Sequence, residues 1–212
     1  MPRQKLGTVI RREQIAQAAL GLVATGGLRA LSMVKLARRV GIAPSAIYRH
    51  FKSKDEVLVA ALDMFRSILL RNIEEVCAET PVALDRLKRL LLRQAVMIRE
   101  NAAIMPRLVF SEDATTYATL RPKAFGVLQL YLEKVGAIIR GGQSDGTIVR
   151  DLPPDTIALM MFGILVPAGI LWHVTEGRFN VTRHVELGWQ TLRRSIEVKQ
   201  SSAACEPMFT KD

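Results

Sequence analysis

The chain has 212 residues, with 30 Lys and Arg against 20 Asp and Glu, a formal charge of +10, and 49% hydrophobic side chains. That length buries a core without covalent staples, and two distant cysteines, Cys77 and Cys205, exclude a disulfide scaffold and a Cys-rich metal site. The excess charge is concentrated: residues 1–55 hold eleven Lys and Arg with only Glu13 and Asp55 as acids, +9, which leaves +1 for the remainder. A positive field confined to the first quarter of the chain points to an anionic partner, nucleic acid foremost and a membrane surface second. The opening residues, MPRQKLGTVIRREQ, carry no apolar run or cleavage site of a signal peptide, so the protein is expected in the cytoplasm.

The spacing of apolar residues predicts helices throughout, with no run of alternating β-branched residues. The first spans Arg12 to Thr25, with Ile15, Ala19, Leu22 and Val23 on one face and Gly26-Gly27 as its stop. Ser32 is placed to cap a second, whose Leu36, Ala37 and Val40 form the stripe before Gly41 ends it. Pro44 suits the first turn of a third, reaching Phe51, because its missing N–H needs no partner there. Ser53 is placed to cap a long fourth from Lys54, with Val57, Leu58, Ala61, Leu62 and Phe65 at helical spacing. Beyond Pro81, helices are predicted over residues 82–101, 103–112, 122–140, 154–175 and 182–199. Gly141-Gly142, Asp145-Gly146 and Pro153-Pro154 are the expected breaks. Residues 157–172 form sixteen uncharged positions, short of the roughly 20 a spanning helix needs. They read as a helix buried all round, in the core or between subunits. Residues 201–212 lack periodicity and are expected to be disordered.

The second and third helices, joined by a glycine turn, outline a helix-turn-helix. In such a unit one helix braces another that lies in the DNA major groove. Ile42 and Ile47 supply the apolar lock, with Ala37 small enough for close packing, while Ser45, Tyr48, Arg49 and His50 supply the outward face. The stretch LARRVGIAPSAIYRHFKSKDEVLVAAL closely resembles the DNA-binding signature of the TetR/AcrR family of bacterial transcriptional regulators. Its Tyr-x-x-Phe-x-x-Lys pattern is Tyr48, Phe51 and Lys54 here. The resemblance implies phosphate contacts from Ser32, Tyr48, His50 and Lys54, which set register without reading sequence. It implies base-facing positions at Pro44, Ser45 and Arg49, and the Arg49 fork suits guanine O6 and N7. Ala46 departs from the Thr or Ser common in the family and keeps only a methyl group for thymine. Arg3, Lys5, Arg11 and Arg12 are expected to form an arm with phosphate or minor-groove contacts. Arg38 and Arg39 read as a solvated face.

The resemblance also implies the architecture. The protein is expected to be all-α, with about nine helices: a helix-turn-helix domain over residues 1–53 and a helical effector-binding and dimerisation body over residues 54–200. Double-stranded operator DNA, a hydrophobic small-molecule effector and a second copy of the chain are the expected partners, with the homodimer formed through the last two long helices. No membrane partner is expected. Phe65, Met97, Met105, Leu108, Phe110, Phe125, Leu128, Tyr131, Met161 and Trp172 are the candidate pocket residues, since methionine and aromatic side chains suit an adaptable apolar cavity. The same stripes also serve as ordinary core.

Catalysis finds little support, for GxSxG, HExxH and P-loop motifs are absent. His173 and Glu176 stand three residues apart, but two ligands do not make a metal site, and no cofactor or metal is expected. Two other readings remain open: an all-helical carrier or scavenger of hydrophobic molecules, and a protein that coats DNA without sequence preference.

Overall fold

The structure is a computed structural model that describes residues 2–101 and 120–199. Helix α1 (Pro2–Gly26) runs ten residues further toward the N-terminus than the apolar stripe predicted. Only its second half is pressed into the core, through Ile15, Ala19, Leu20 and Val23, whereas Val9 and Ile10 remain exposed. Periodicity marks a buried face, so it could not mark the solvated first turns. Residues 2–11, which hold most of the anticipated arm, are thus helix. Gly27, at φ 70°, stops the helix, a conformation that costs glycine little.

Local chemistry sets the next boundaries. Before α2 (Met33–Val40), the Ser32 hydroxyl oxygen accepts the Lys35 N–H at 3.2 Å, and Gly41 closes the helix at φ 74°. Helix α3 (Pro44–Tyr48) is shorter than predicted, and Phe51 is reached by a turn that donates to the Ile47 carbonyl. Helix α4 (Lys54–Glu79) starts with a reciprocal cap: Ser53 accepts the Glu56 N–H at 3.2 Å, while the Glu56 carboxylate accepts the Lys52 N–H at 2.7 Å.

The body adds α5 (Ala83–Asn101), α6 (Leu120–Ser144), α7 (Pro154–Val174) and α8 (Val181–Ile196), making eight α-helices among the described residues. The helix predicted over 103–112 and the tail from 201 lie outside those residues. Gly141-Gly142 does not break α6, contrary to expectation. Gly142 is a packing site: a Cβ there would stand 2.6 Å from Ile148 Cδ1 and 2.7 Å from Ala83 Cβ. The turn falls at Gly146, φ 78°. Ile148 and Glu197 then form a single antiparallel bridge, which pins the end of α8 to the loop after α6.

Helix α5 is the centre of the body, touching α4, α6, α7 and α8, and α4 reaches from α1 to both α5 and α6. One apolar cluster therefore runs from Ile15, Ile47 and Phe51 through Leu62 and Leu87 to Met161 and Val185. Helix α7 is not buried all round within one copy of the chain. Only 33% of its most apolar stretch is buried, and by length and composition alone it would suffice to cross a membrane. Leu159, Met160, Ile170, Leu171 and Val174 are exposed along it. Within it Pro167 has no N–H to offer the preceding turn. There the Ile164 carbonyl lies 3.0 Å from His184 Nε2 of α8, which acts as donor.

Candidate DNA interface and effector body

The helix-turn-helix is locked from within. Ile47 and Phe51 are fully buried, as are Leu36 and Ala37, and Ile42 packs against the same core. Helix α1 fastens this unit through Arg12, whose guanidinium lies 4.1 Å above the Phe51 ring centroid and donates to the His50 carbonyl. Arg12, expected in a DNA-binding arm, is thus engaged inside the head. Arg39, like Arg38, is exposed, as a solvated face requires, and its guanidinium lies over α1, where a Cβ on Gly21 would meet Nη2 at 2.8 Å.

The opposite face of the unit is open. Pro44, Ser45 and Arg49 are exposed, and Tyr48 is 55% exposed rather than packed on α4. Ser45 of α3 and Arg49, the helical residue that caps its end, are four residues apart and project from one side of the unit, opposite the buried Ile47. His50 is half-buried, with Nδ1 enclosed and lacking a hydrogen-bond partner. Lys54 begins α4 half-buried, and Ala46 is half-buried too. The Ser32 oxygen is used as a cap acceptor, which leaves its O–H to donate outward. Beside it, Val34 is 64% exposed and Lys35 is exposed.

Within the body, the predicted pocket residues part company. Tyr131 and Met161 are buried; Phe65, Met97, Leu128 and Trp172 are half-buried; Phe125 is 58% exposed. Met105, Leu108 and Phe110 lie outside the described residues. Met97 Sδ accepts the Asn72 amide at 3.0 Å, linking α5 to α4. Burial pushes the Tyr131 phenol above its ordinary pKa, with Gln94 pulling slightly the other way. Gln94 was not anticipated, although its position continues the buried stripe of Leu87, Leu90 and Leu91. A separate cleft of about 440 Å³ opens between α5 and α8, lined by Lys88, Leu92, Trp189 and Arg193 among others, and none of the predicted pocket residues borders it. There the Glu197 carboxylate holds the Arg193 guanidinium at 2.6 and 2.7 Å, which lowers the acid's pKa.

An exposed reading helix on a basic head, continued by α4 into an all-helical body, defines a helix-turn-helix regulator. Residues 15–61 match the model of bacterial regulatory proteins of the tetR family, and residues 64–194 match the YsiA-like protein C-terminal region. The chain belongs to the tetR family of bacterial regulatory proteins and is a DNA-binding transcriptional regulator. It is 24% identical over 170 residues to the fatty acid metabolism regulator protein of Bacillus subtilis, covering 79% of this chain and 86% of the relative. It is 33% identical over 100 residues to the nucleoid occlusion factor SlmA of Vibrio atlanticus, covering 47% of this chain and half (50%) of that protein. The fold resembles the crystal structure of FadR from Bacillus subtilis in complex with stearoyl-CoA, at TM-score 0.74 and 23% identity, over 87% of this chain and 99% of that one.

Proposed function

We propose that the protein is a ligand-responsive repressor that binds a two-fold symmetric operator as a homodimer and leaves it when a hydrophobic molecule enters the body. The observation that carries this reading is the open Ser45–Arg49 face on a +9 head, coupled to the body by one unbroken helix. Helix α4 has 26 residues, a lever of about 39 Å. Pro44, Ser45 and Arg49 face bases, while Ser32, Tyr48, His50 and Lys54 hold phosphates. The head ends near residue 53, where the Ser53 cap begins the lever.

Two heads must be held about 34 Å apart, or a multiple of that, to read successive half-sites. The exposed aliphatic face of α7, with Leu187 of α8 beside it, supports dimerisation through these two helices, since an apolar patch of that kind favours a partner over water. The α7 surface is thus assigned to a second copy of the chain and not to lipid, and the protein to the cytoplasm. The proposed role is regulatory and not catalytic.

The likeness to a fatty acid metabolism regulator, and to FadR solved with stearoyl-CoA, supports an acyl-chain effector over an aromatic one. Any effector acts only through its difference in affinity for the DNA-fitting and DNA-misfitting dimers. The test is operator binding followed by fluorescence anisotropy during titration with stearoyl-CoA. Operator affinity should fall as the ligand saturates the protein; an unchanged affinity at saturation would overturn the reading.

A further inference from the structure

Two polar side chains lie inside the helical body without a well-formed hydrogen bond. Gln94 on α5 is 7% exposed and Tyr131 on α6 is 4% exposed, and the amide Nε2 and phenol Oη are both enclosed without a hydrogen-bond partner. Buried amides and hydroxyls are nearly always paired, because an unpaired one loses its hydration with no compensation. Thr80, the other buried polar side chain among the described residues apart from Gln94, follows that rule and accepts the Val82 N–H at 3.2 Å. The two groups are neighbours: a hydrogen-bonding interaction from the Gln94 side chain tempers the rise in the Tyr131 pKa, but its geometry is too poor to make either atom a partner of the other, so the pair satisfies itself only weakly.

Their chemistry restricts what completes them. Nε2 is a donor only, and a phenol kept protonated by burial donates one O–H. A carbonyl oxygen, with two lone pairs, can accept both. A carboxylate suits the place less well, because no charged side chain is buried among the described residues to balance it. Leu90 and Leu91 stand one turn before Gln94 on α5, and Val127 and Val135 one turn either side of Tyr131 on α6; all four are buried, and such aliphatic neighbours along the chain suit an alkyl chain attached to that carbonyl.

We propose that Gln94 and Tyr131 are the polar anchor of the effector site and bind the neutral carbonyl oxygen of an acyl thioester. This rests on the reading of the body as an effector-binding domain. Gln94 donates through Nε2 and Tyr131 through its O–H, so a chain of equal length without the oxygen leaves both donors unpaired.

Stearoyl-CoA and its octadecyl thioether analogue, which lacks only the carbonyl oxygen, separate the possibilities by calorimetric titration of the full chain, Tyr131→Phe, Gln94→Leu and the double variant. The wild type should bind the thioester at least about tenfold more tightly than the thioether, a difference of about 1.4 kcal/mol. Each single variant should lose most of that preference with thioether affinity unchanged, and the double variant should lose it all. Melting temperatures without ligand should stay nearly level or rise, because the only polar contact broken within the protein is the poorly aligned one between these two side chains. Equal binding of the two probes by the wild type, or a preference that survives in the double variant, overturns the anchor and leaves an acyl effector intact. A fall of several degrees in the ligand-free Tyr131→Phe melting temperature also overturns it, since the hydroxyl would then be serving the fold. Failure of both probes to bind overturns the acyl-effector reading and the anchor together.

Discussion

Arg12 separates a brace from a DNA contact, and Arg12→Met tests which it is. Methionine keeps a flexible apolar stem but removes the charge that stands 4.1 Å above the Phe51 ring and the donor to the His50 carbonyl. An exposed cation–π contact is worth about 0.5–1 kcal/mol, and a charge-assisted hydrogen bond about 1.5 kcal/mol at the low end that suits an exposed residue. Their partial additivity gives an expected loss of about 1–2 kcal/mol, or a few degrees of melting temperature for a chain of this size. Thermal melting and DNA binding across a salt series should be measured on the same preparations. A brace predicts lower stability and weaker binding with an unchanged dependence of log affinity on log salt. A phosphate contact predicts unchanged stability and a slope smaller by about one; that result would refute the assignment of Arg12 to the head's internal packing.

Other substitutions probe the remaining links. Gly188→Leu places atoms where even a Cβ would stand 2.8 Å from Ile164 Cγ2, so it should cost about 1–3 kcal/mol by overpacking. It should also raise the monomer fraction in sedimentation, if α7 and α8 form the dimer face. Phe51→Ala should cost about 3–5 kcal/mol in thermal or urea unfolding, because the ring is wholly buried beneath the reading unit. Asp145 has a pKa lowered by hydrogen bonds from the Thr147 hydroxyl and N–H. Its contribution is therefore present above the unfolded carboxylate range and lost as pH falls through the lower folded value. Asp145→Ala should flatten the acid limb of the melting-temperature profile and leave the alkaline limb alone.

What could be read from the sequence was what local chemistry decides. Ser32 and Ser53 declare helix starts because a cap oxygen and the N–H three residues on lie within one turn. Gly41 declares an end because few other residues adopt its φ. The start of α1 was hidden, since its first turns bury no stripe. Gly142 misled because a glycine chosen for close approach of Ile148 and Ala83 looks, in one dimension, like a glycine chosen for a turn. The uncharged run of α7 had the same ambiguity between a core helix and a partner-facing one, and only the fold showed that no more than 33% of its most apolar stretch is buried within one copy of the chain. The candidate DNA surface was legible as residue types at fixed spacing. Which exposed cations also touch the head's own residues was not, because Arg12 meets Phe51 and Arg39 meets Gly21 only after the chain has folded back.

The central claim is that Arg49, at the end of α3, reads bases while Ser32, Tyr48, His50 and Lys54 hold phosphates. It is tested most directly by the affinity of the wild type and Arg49→Ala for an operator selected from random duplexes and for an unrelated duplex, at matched salt. Loss of a bidentate guanine contact should weaken operator binding by about 1–3 kcal/mol, roughly ten- to a hundredfold, and leave the unrelated duplex nearly unaffected. An equal loss on both duplexes would contradict the account and make Arg49 one more phosphate contact.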